Sequence, residues 1–360
     1  MLNLLEYPID LTGFFNNIII QINVAREYSC ELKFVCIYMW GVYQLPTLIN
    51  AITRVMALNK ERKYMLSNEA REKLDTGKFD FPVTERAIQT VGASTVVPFD
   101  VGRAIYRLDT NETIAIVGKN YKLLPHAPLY QTVNKELDNS YREFNNIDVI
   151  DQVFDRGALV KRTIVCKDEQ YKVEIPTKHG TDFQYLRFDI YNSYNMKMAF
   201  HFVFGGYGGY CANLQVFNGK AFVKHYGKHT KNLQDLELVD DIGRLIDNYL
   251  LQANRMSTWG EKELPRLDFA KTFFKNTICK GSKHNNNKVN QKRLEALTTL
   301  FYRERERWGN TVWSLYNTMT HWATHNFNGK ARTPKYQMTR QASITKALSS
   351  NEWNHLLQVA

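Results

Sequence analysis

The signatures by which a sequence usually announces an enzyme are missing from this 360-residue chain. Its five cysteines, Cys30, Cys36, Cys166, Cys211 and Cys279, are scattered and form no C-x-x-C pair. That excludes both a zinc cage and a disulfide framework and makes a reducing cytoplasm the expected setting. No Walker A loop is present: "VGKN" at 117–120 lacks the metal-binding hydroxyl, and "YGKHT" at 226–230 has a histidine in its place. G-x-G-x-x-G fails as well, because from Gly206 the third glycine would fall on Cys211. There is no G-x-S-x-G, and "VEIPTK" at 173–178 does not supply the acids and lysine of a PD-(D/E)-x-K nuclease. No catalytic residue and no cofactor is expected.

Long hydrophobic runs are scarce too. Phe34 to Thr53 carries no charge and has nearly the length of a bilayer span, but Gln44, Pro46 and Asn50 interrupt it. Residues 1–64 are therefore expected to form an extension, either an accessory helical element or a stretch upstream of the native start. A membrane anchor is not expected. Nothing repeats at a fixed period, and no biased tract points to disorder.

What is present is charge in one place. The formal net charge is +11. Up to Asn254 there are 29 Lys+Arg and 29 Asp+Glu, whereas from Arg255 onward 18 face 7, so the last part holds the whole excess. A basic part joined to a neutral one suits a polyanion partner, since phosphate neutralisation supplies most nonspecific affinity. Aromatics are plentiful, with 20 Tyr and 20 Phe, which favours strands and stacking surfaces.

Periodicity divides the chain further. A short polar helix is expected from Met65 to Gly77, and "GRAIYRLDTNETIAIVG" reads as a hairpin turning at Asp109–Glu112. Pro128 marks the start of a helix reaching about Asn139, and strands follow at "ALVKRTIVC" and "YKVEI". The clearest alternation runs from 183 to 204 about a turn at Asn192–Asn195. One face, Leu186, Phe188, Ile190, Met196, Met198, Phe200 and Phe202, is expected to be buried. Apolar residues then recur at three-to-four spacing from Leu236 to Tyr249, with further helices at "LDFAKTFFKNTI", "VNQKRLEALTTLFYRERERW" and "TVWSLYNTMTHWATH". The expected fold is α+β: a mostly antiparallel sheet domain over 65–254 with an early packed helix, then a basic helical region over 255–360.

Metal pairs are weak in this setting. His225 and His229 are four apart, as are His321 and His325, but neither pair has a third ligand or a glutamate placed as in a zinc hydrolase. Asp235, Glu237, Asp240 and Asp241 lie in the first turns of a helix, where they offset its dipole. Nucleic-acid binding draws on more of the chain. The second sheet face, Tyr185, Arg187, Tyr191, Lys197 and His201, interleaves rings and cations, as a single-strand platform requires. Lys220, Lys224, His225, Lys228 and His229 would extend it. Lys283, Lys288, Lys292, Arg293, Arg303, Arg305 and Arg307 would add a helical cationic rail.

Several motifs in order resemble one family. "NSYNMKMAFHFVFGGYGGYCANLQV", "KHT" and "WGNTVWSLYNTMTHWATH" carry an Asn-Ser turn (Asn192, Ser193), a Cys-x-Asn (Cys211, Asn213) and a basic-His-Thr (Lys228 to Thr230). A late helix follows with Trp313, Tyr316, Asn317, Thr320 and His325. Together with "VGKNYKLLPHAPLYQTVNKEL", these resemble domain of unknown function 932 over about Phe99 to Leu357. This chain departs from the pattern at "GGYGGY", where the family strand often carries an arginine. The resemblance implies a phage or plasmid setting, and its order of elements is similar to that of Rad52-type annealing proteins. The expected function is a non-enzymatic protein holding single-stranded DNA in recombination or replication, compatible with a homo-oligomer. The alternative is an interaction module, such as an anti-defence factor acting on a host protein.

Overall fold

Period-two alternation from 180 to 208 builds the central strand pair. In the computed structural model β7 (Gly180–Ser193) and β8 (Phe200–Gly208) pair antiparallel, from Gln184↔Gly208 to Tyr191↔His201. The structure describes residues 66–92, 95–140, 142–208, 214–215, 225–227, 239–266, 268–281, 288–325 and 334–359. The 1–64 extension, with Phe34–Thr53, lies outside them. Side chains at 214–215, 225–227, 239–241 and 244 also lie outside.

β7 is the spine of a seven-stranded sheet. On one side it pairs with β5 (Leu159–Cys166), followed by β4 (Ile147–Phe154). Its first residues pair with β6 (Val173–Thr177). On the other side come β8 and then β9 (Leu214–Gln215) and β10 (His225–Gly227). A separate meander joins β1 (Val83–Val91), β2 (Val96–Arg107) and β3 (Glu112–Gly118). All described strand pairings within these two sheets are antiparallel.

One sheet face is covered by helices. α1 (Asn68–Lys73) starts at Ser67, whose hydroxyl accepts from the Ala70 amide. α2 (His126–Asn139) buries Leu129, Tyr130, Val133 and Leu137, and Tyr130 donates to the Ile190 carbonyl at 2.9 Å. α3 (Val239–Met256), α4 (Phe269–Asn276), α5 (Gln291–Trp308), α6 (Val312–Thr324), α7 (Pro334–Leu348) and α8 (Asn351–Val359) follow. α5 ends at Gly309, whose φ of 85° lies in the region glycine adopts without strain. A single buried cluster runs from Phe188 and Phe202 on the sheet through Leu245 and Tyr249 to Trp313, Leu348 and Trp353. The basic part after Arg255 thus shares the core of the sheet, and all described residues belong to one unit, Tyr64–Ala360. The class is α+β, as the periodicity indicated. Among the described residues no helix is long and apolar enough to cross a membrane.

Two sequence expectations need correction here. β7 stops at Ser193, and residues 194–199 lie between the strands without alternation. Met196 has φ 57° and is exposed, while Met198 joins Leu159, Tyr191 and Val203 on the opposite face. The irregular connection suspends the period of two between the strands, so Met196 and Met198 leave the expected face, while Phe200 and Phe202 keep it. α7, α8, β1 and β4 were not foreseen.

Candidate nucleic-acid interface

The face expected to grip single strands is buried at its centre. Arg187 is 5 % exposed, Tyr191 0 % and His201 8 %, and Tyr185 is half-buried. Parity had placed these residues on one face correctly; what parity cannot tell is whether a face is covered. Met338 of α7 packs on this side against the cluster containing Tyr191 and Val203. Lys197 is exposed, but it lies on the connection after β7 and pairs with Asp155 at 2.6 Å.

The centre of that face is an ion cluster around Asp189, built by the register Lys161↔Tyr191, Thr163↔Asp189 and Val165↔Arg187. Asp189 accepts from Thr163 Oγ1 at 2.6 Å, from Arg187 Nε and Nη2 at 3.1 Å each, and from Tyr191 at 3.3 Å. Lys161 Nζ is 3.3 Å away. Burial alone would raise the Asp189 carboxyl, but the Arg187 and Lys161 charges and its hydrogen bonds outweigh it and hold it at about 2. Burial pushes the Lys161 ammonium down, against the pull of Asp189. Arg187 and Lys161 therefore serve the interior and cannot follow a phosphate backbone from there.

The two ends of β7 gather motif residues that the sequence could not assign. At its C-terminal end, buried Asn192 donates through Nδ2 to His126 Nδ1 (2.9 Å) and to the Leu124 carbonyl (3.2 Å). The Tyr194 hydroxyl accepts from the His126 amide at 2.8 Å, and the two rings stack at 3.9 Å. Ser193 Oγ donates to the Met198 carbonyl at 2.6 Å. The Asn-Ser motif thus locks the end of β7 to the start of α2.

At the N-terminal end, α6 places Trp313 and Asn317 one turn apart over Asp182. Trp313 Nε1 donates at 3.0 Å and Asn317 Nδ2 at 3.5 Å. Burial raises the Asp182 carboxyl to about 6, against hydrogen bonds from Phe183, Trp313 and Asn317 and with some help from the Glu304 charge. His321, a further turn along α6, meets buried Glu304 at 3.1 Å and the His325 ring at 4.7 Å. Gln184 is fully buried beside this seam, and neither end of its amide has a hydrogen-bond partner. Its side chain lies over Gly206: a Cβ there would sit 1.8 Å from Gln184 Nε2. One glycine of "GGYGGY" is therefore space for Gln184.

No group of three or more His, Cys, Asp or Glu among the described residues is placed to hold a metal. Burial pushes the Cys166 thiol well up and the Cys279 thiol to about 11, which leaves both poor nucleophiles.

The helical rail divides in two. Arg293 turns inward, donating to the Ile278 carbonyl at 3.0 Å and lying 5.3 Å over Trp322. Arg305 is half-buried, 5.2 Å over the Tyr302 ring, and Arg307 lies 6.0 Å from that of Trp308. Lys288, Lys292 and Arg303 are exposed and, among the described residues, in no ion pair, as are Lys271 and Lys275 on α4, which sequence reasoning missed. The four-residue spacing of Lys271 and Lys275, opposite Phe273 and Phe274, was the available signal. Tyr302 on α5 is 48 % exposed. Glu295 and Glu306 interrupt the row. Of the other expected contacts, Lys220, Lys224, Lys228, His229 and Lys283 lie outside the described residues, as do the motif residues Cys211 and Asn213. His225 is placed as backbone alone.

A family model covers most of this architecture. The model for domain of unknown function (DUF932) matches residues 115–349, from β3 into the end of α7. The chain belongs to the DUF932 family. No curated protein and no solved structure matches it. Both motif clusters at the ends of β7 fall inside the match, and α1, β1, β2 and α8 fall outside it.

Proposed function

We propose that this DUF932 protein binds nucleic acid, single-stranded DNA in preference, through the outer face of α4 and α5. One observation carries the reading: Lys271, Lys275, Lys288, Lys292 and Arg303 are exposed without a carboxylate partner among the described residues, and Tyr302 on α5 is exposed as well. Unpaired surface cations that neutralise phosphates release the counterions condensed on the nucleic acid, and an exposed ring offers a base a stacking surface. The concentration of the +11 after Arg255 points the same way. A role in phage or plasmid recombination or replication accords with the motif resemblance and is part of the proposal.

Gel shifts with a single-stranded oligonucleotide test it. Lys275→Gln, Lys292→Gln and Arg303→Gln combined are expected to weaken binding about tenfold or more at low salt. The slope of log affinity against log salt should fall by about 2, at roughly 0.7 per lost phosphate contact. Absence of binding at low salt, or binding indifferent to salt, would favour the competing reading, a protein-interaction module with no nucleic-acid role.

A further inference from the structure

The β1–β2 hairpin departs from the rest of the molecule in having no inside. Its register runs regularly to Ala87↔Arg103 and then jumps to Gln89↔Pro98, so Phe99 to Gly102 bulge opposite Ile88. β3 pairs with β2 only from Gly102 onward. Beyond the bulge the chain continues as a two-stranded ribbon with no third strand among the described residues. Val96 and Val97 are consecutive, hence on opposite faces, and are 58 % and 52 % exposed; Val91 is 79 % and Val101 61 % exposed. Both faces of the ribbon are therefore open and both are apolar. An isolated two-stranded ribbon is marginal in water.

Its edge is unguarded as well. Soluble proteins protect edge strands with lysine, proline or inward charge. The outer edge of β1 from Ala87 to Val91, "AIQTV", has none of these. From Ala87 to Val101 the single charged residue is Asp100. Just behind the ribbon, Arg103 pairs with Glu85, and Arg86 lies over the Tyr106 ring at 3.5 Å. In a chain of +11 this is a stretch where two copies can approach without repulsion. It offers a nucleic acid nothing to bind and a charged protein surface no complement.

We propose that this hairpin is a self-association arm whose occupant is the same hairpin of a second copy. The β1 edges pair antiparallel about a two-fold axis near Gln89, an isologous contact that makes the ribbon a four-stranded sheet and satisfies the free backbone edge from Ala87 to Val91. The arm uses none of the cations of α4 and α5, so self-association and nucleic-acid binding are measured separately.

The mass of the full chain in solution, measured by light scattering across micromolar concentrations, tests the arm. Wild type is expected at twice the chain mass. Gln89→Lys with Val91→Lys should raise the dimer dissociation constant about tenfold or more while leaving the melting temperature of the monomer unchanged. Gln89→Cys should form an intermolecular disulfide under mild oxidation that wild type and Thr84→Cys do not. A monomeric wild type, or a lysine variant with undiminished dimer mass, overturns the proposal. A monomeric wild type that sediments with phosphatidylcholine vesicles through the hairpin also overturns it, and assigns the arm to a lipid surface.

Discussion

Two aspartates on β7, seven residues apart, sit on opposite faces of the sheet and titrate in opposite directions. Asp189 has a folded pKa of about 2, below the ordinary value near 3.9. Its charge therefore stabilises the fold above about pH 4, and that contribution is lost as the pH falls toward 2. Asp189→Asn leaves Lys161 and Arg187 buried without their counterion and is expected to cost about 3–5 kcal/mol in chemical denaturation. Asp182, near 6 when folded, holds its proton more tightly in the folded state than in the unfolded. Stability should therefore decline as the pH rises from about 4 through 6, by up to about 3 kcal/mol. Asp182→Asn keeps an acceptor for Trp313 and should abolish that slope. At Gly206 the constraint is steric: Gly206→Ala drives a methyl into Gln184 and should cost about 1–3 kcal/mol. Gln184→Met removes an unsatisfied buried amide and is expected to be neutral or stabilising by about 1 kcal/mol.

Among the elements, α1 shows how a short helix is held by its ends. Six residues cannot sustain a helix alone. Ser67 caps its start, while Arg162 of β5 donates to the Leu74 and Asp75 carbonyls at 2.8 and 2.6 Å beyond its end. The same guanidinium pairs with Asp151 at 2.7 Å, so one buried arginine ties α1 to two strands. Ser67→Ala should cost about 1 kcal/mol, read from the denaturation midpoint. α6 is the opposite case, buried on nearly every side from Val312 to Thr320. Its polar residues are therefore committed to interior partners, as Trp313 and Asn317 are to Asp182.

At the scale of the molecule, charge and core divide the chain differently. The charge changes character at Arg255, but the core does not: Ile242, Leu245 and Tyr249 of α3 share a cluster with Phe273, Leu300 and Trp313. A chain ending at Asn254 would expose that cluster and is expected to aggregate or to give no cooperative melt by circular dichroism. The basic part can be tested for nucleic-acid binding by charge substitution, not by deletion.

The alternation in β2, β3, β5, β7 and β8 and the three-to-four spacing in α2 to α6 were legible in the residues themselves. Local sterics and the periods of 2 and 3.6 set those elements, and the family membership followed from motif order. The charge asymmetry was equally plain. Which side of the sheet meets water was not legible, because a strand's period names two faces and says nothing of what packs on each. Only the tertiary structure turned Arg187 and Tyr191 from a candidate binding surface into the surroundings of Asp189, joined Trp313 to Asp182 across 131 residues, and left Lys275, Lys292 and Arg303 in the open. The physical reason is the same in each case: a residue's partners are set by long-range burial, which local periodicity cannot encode.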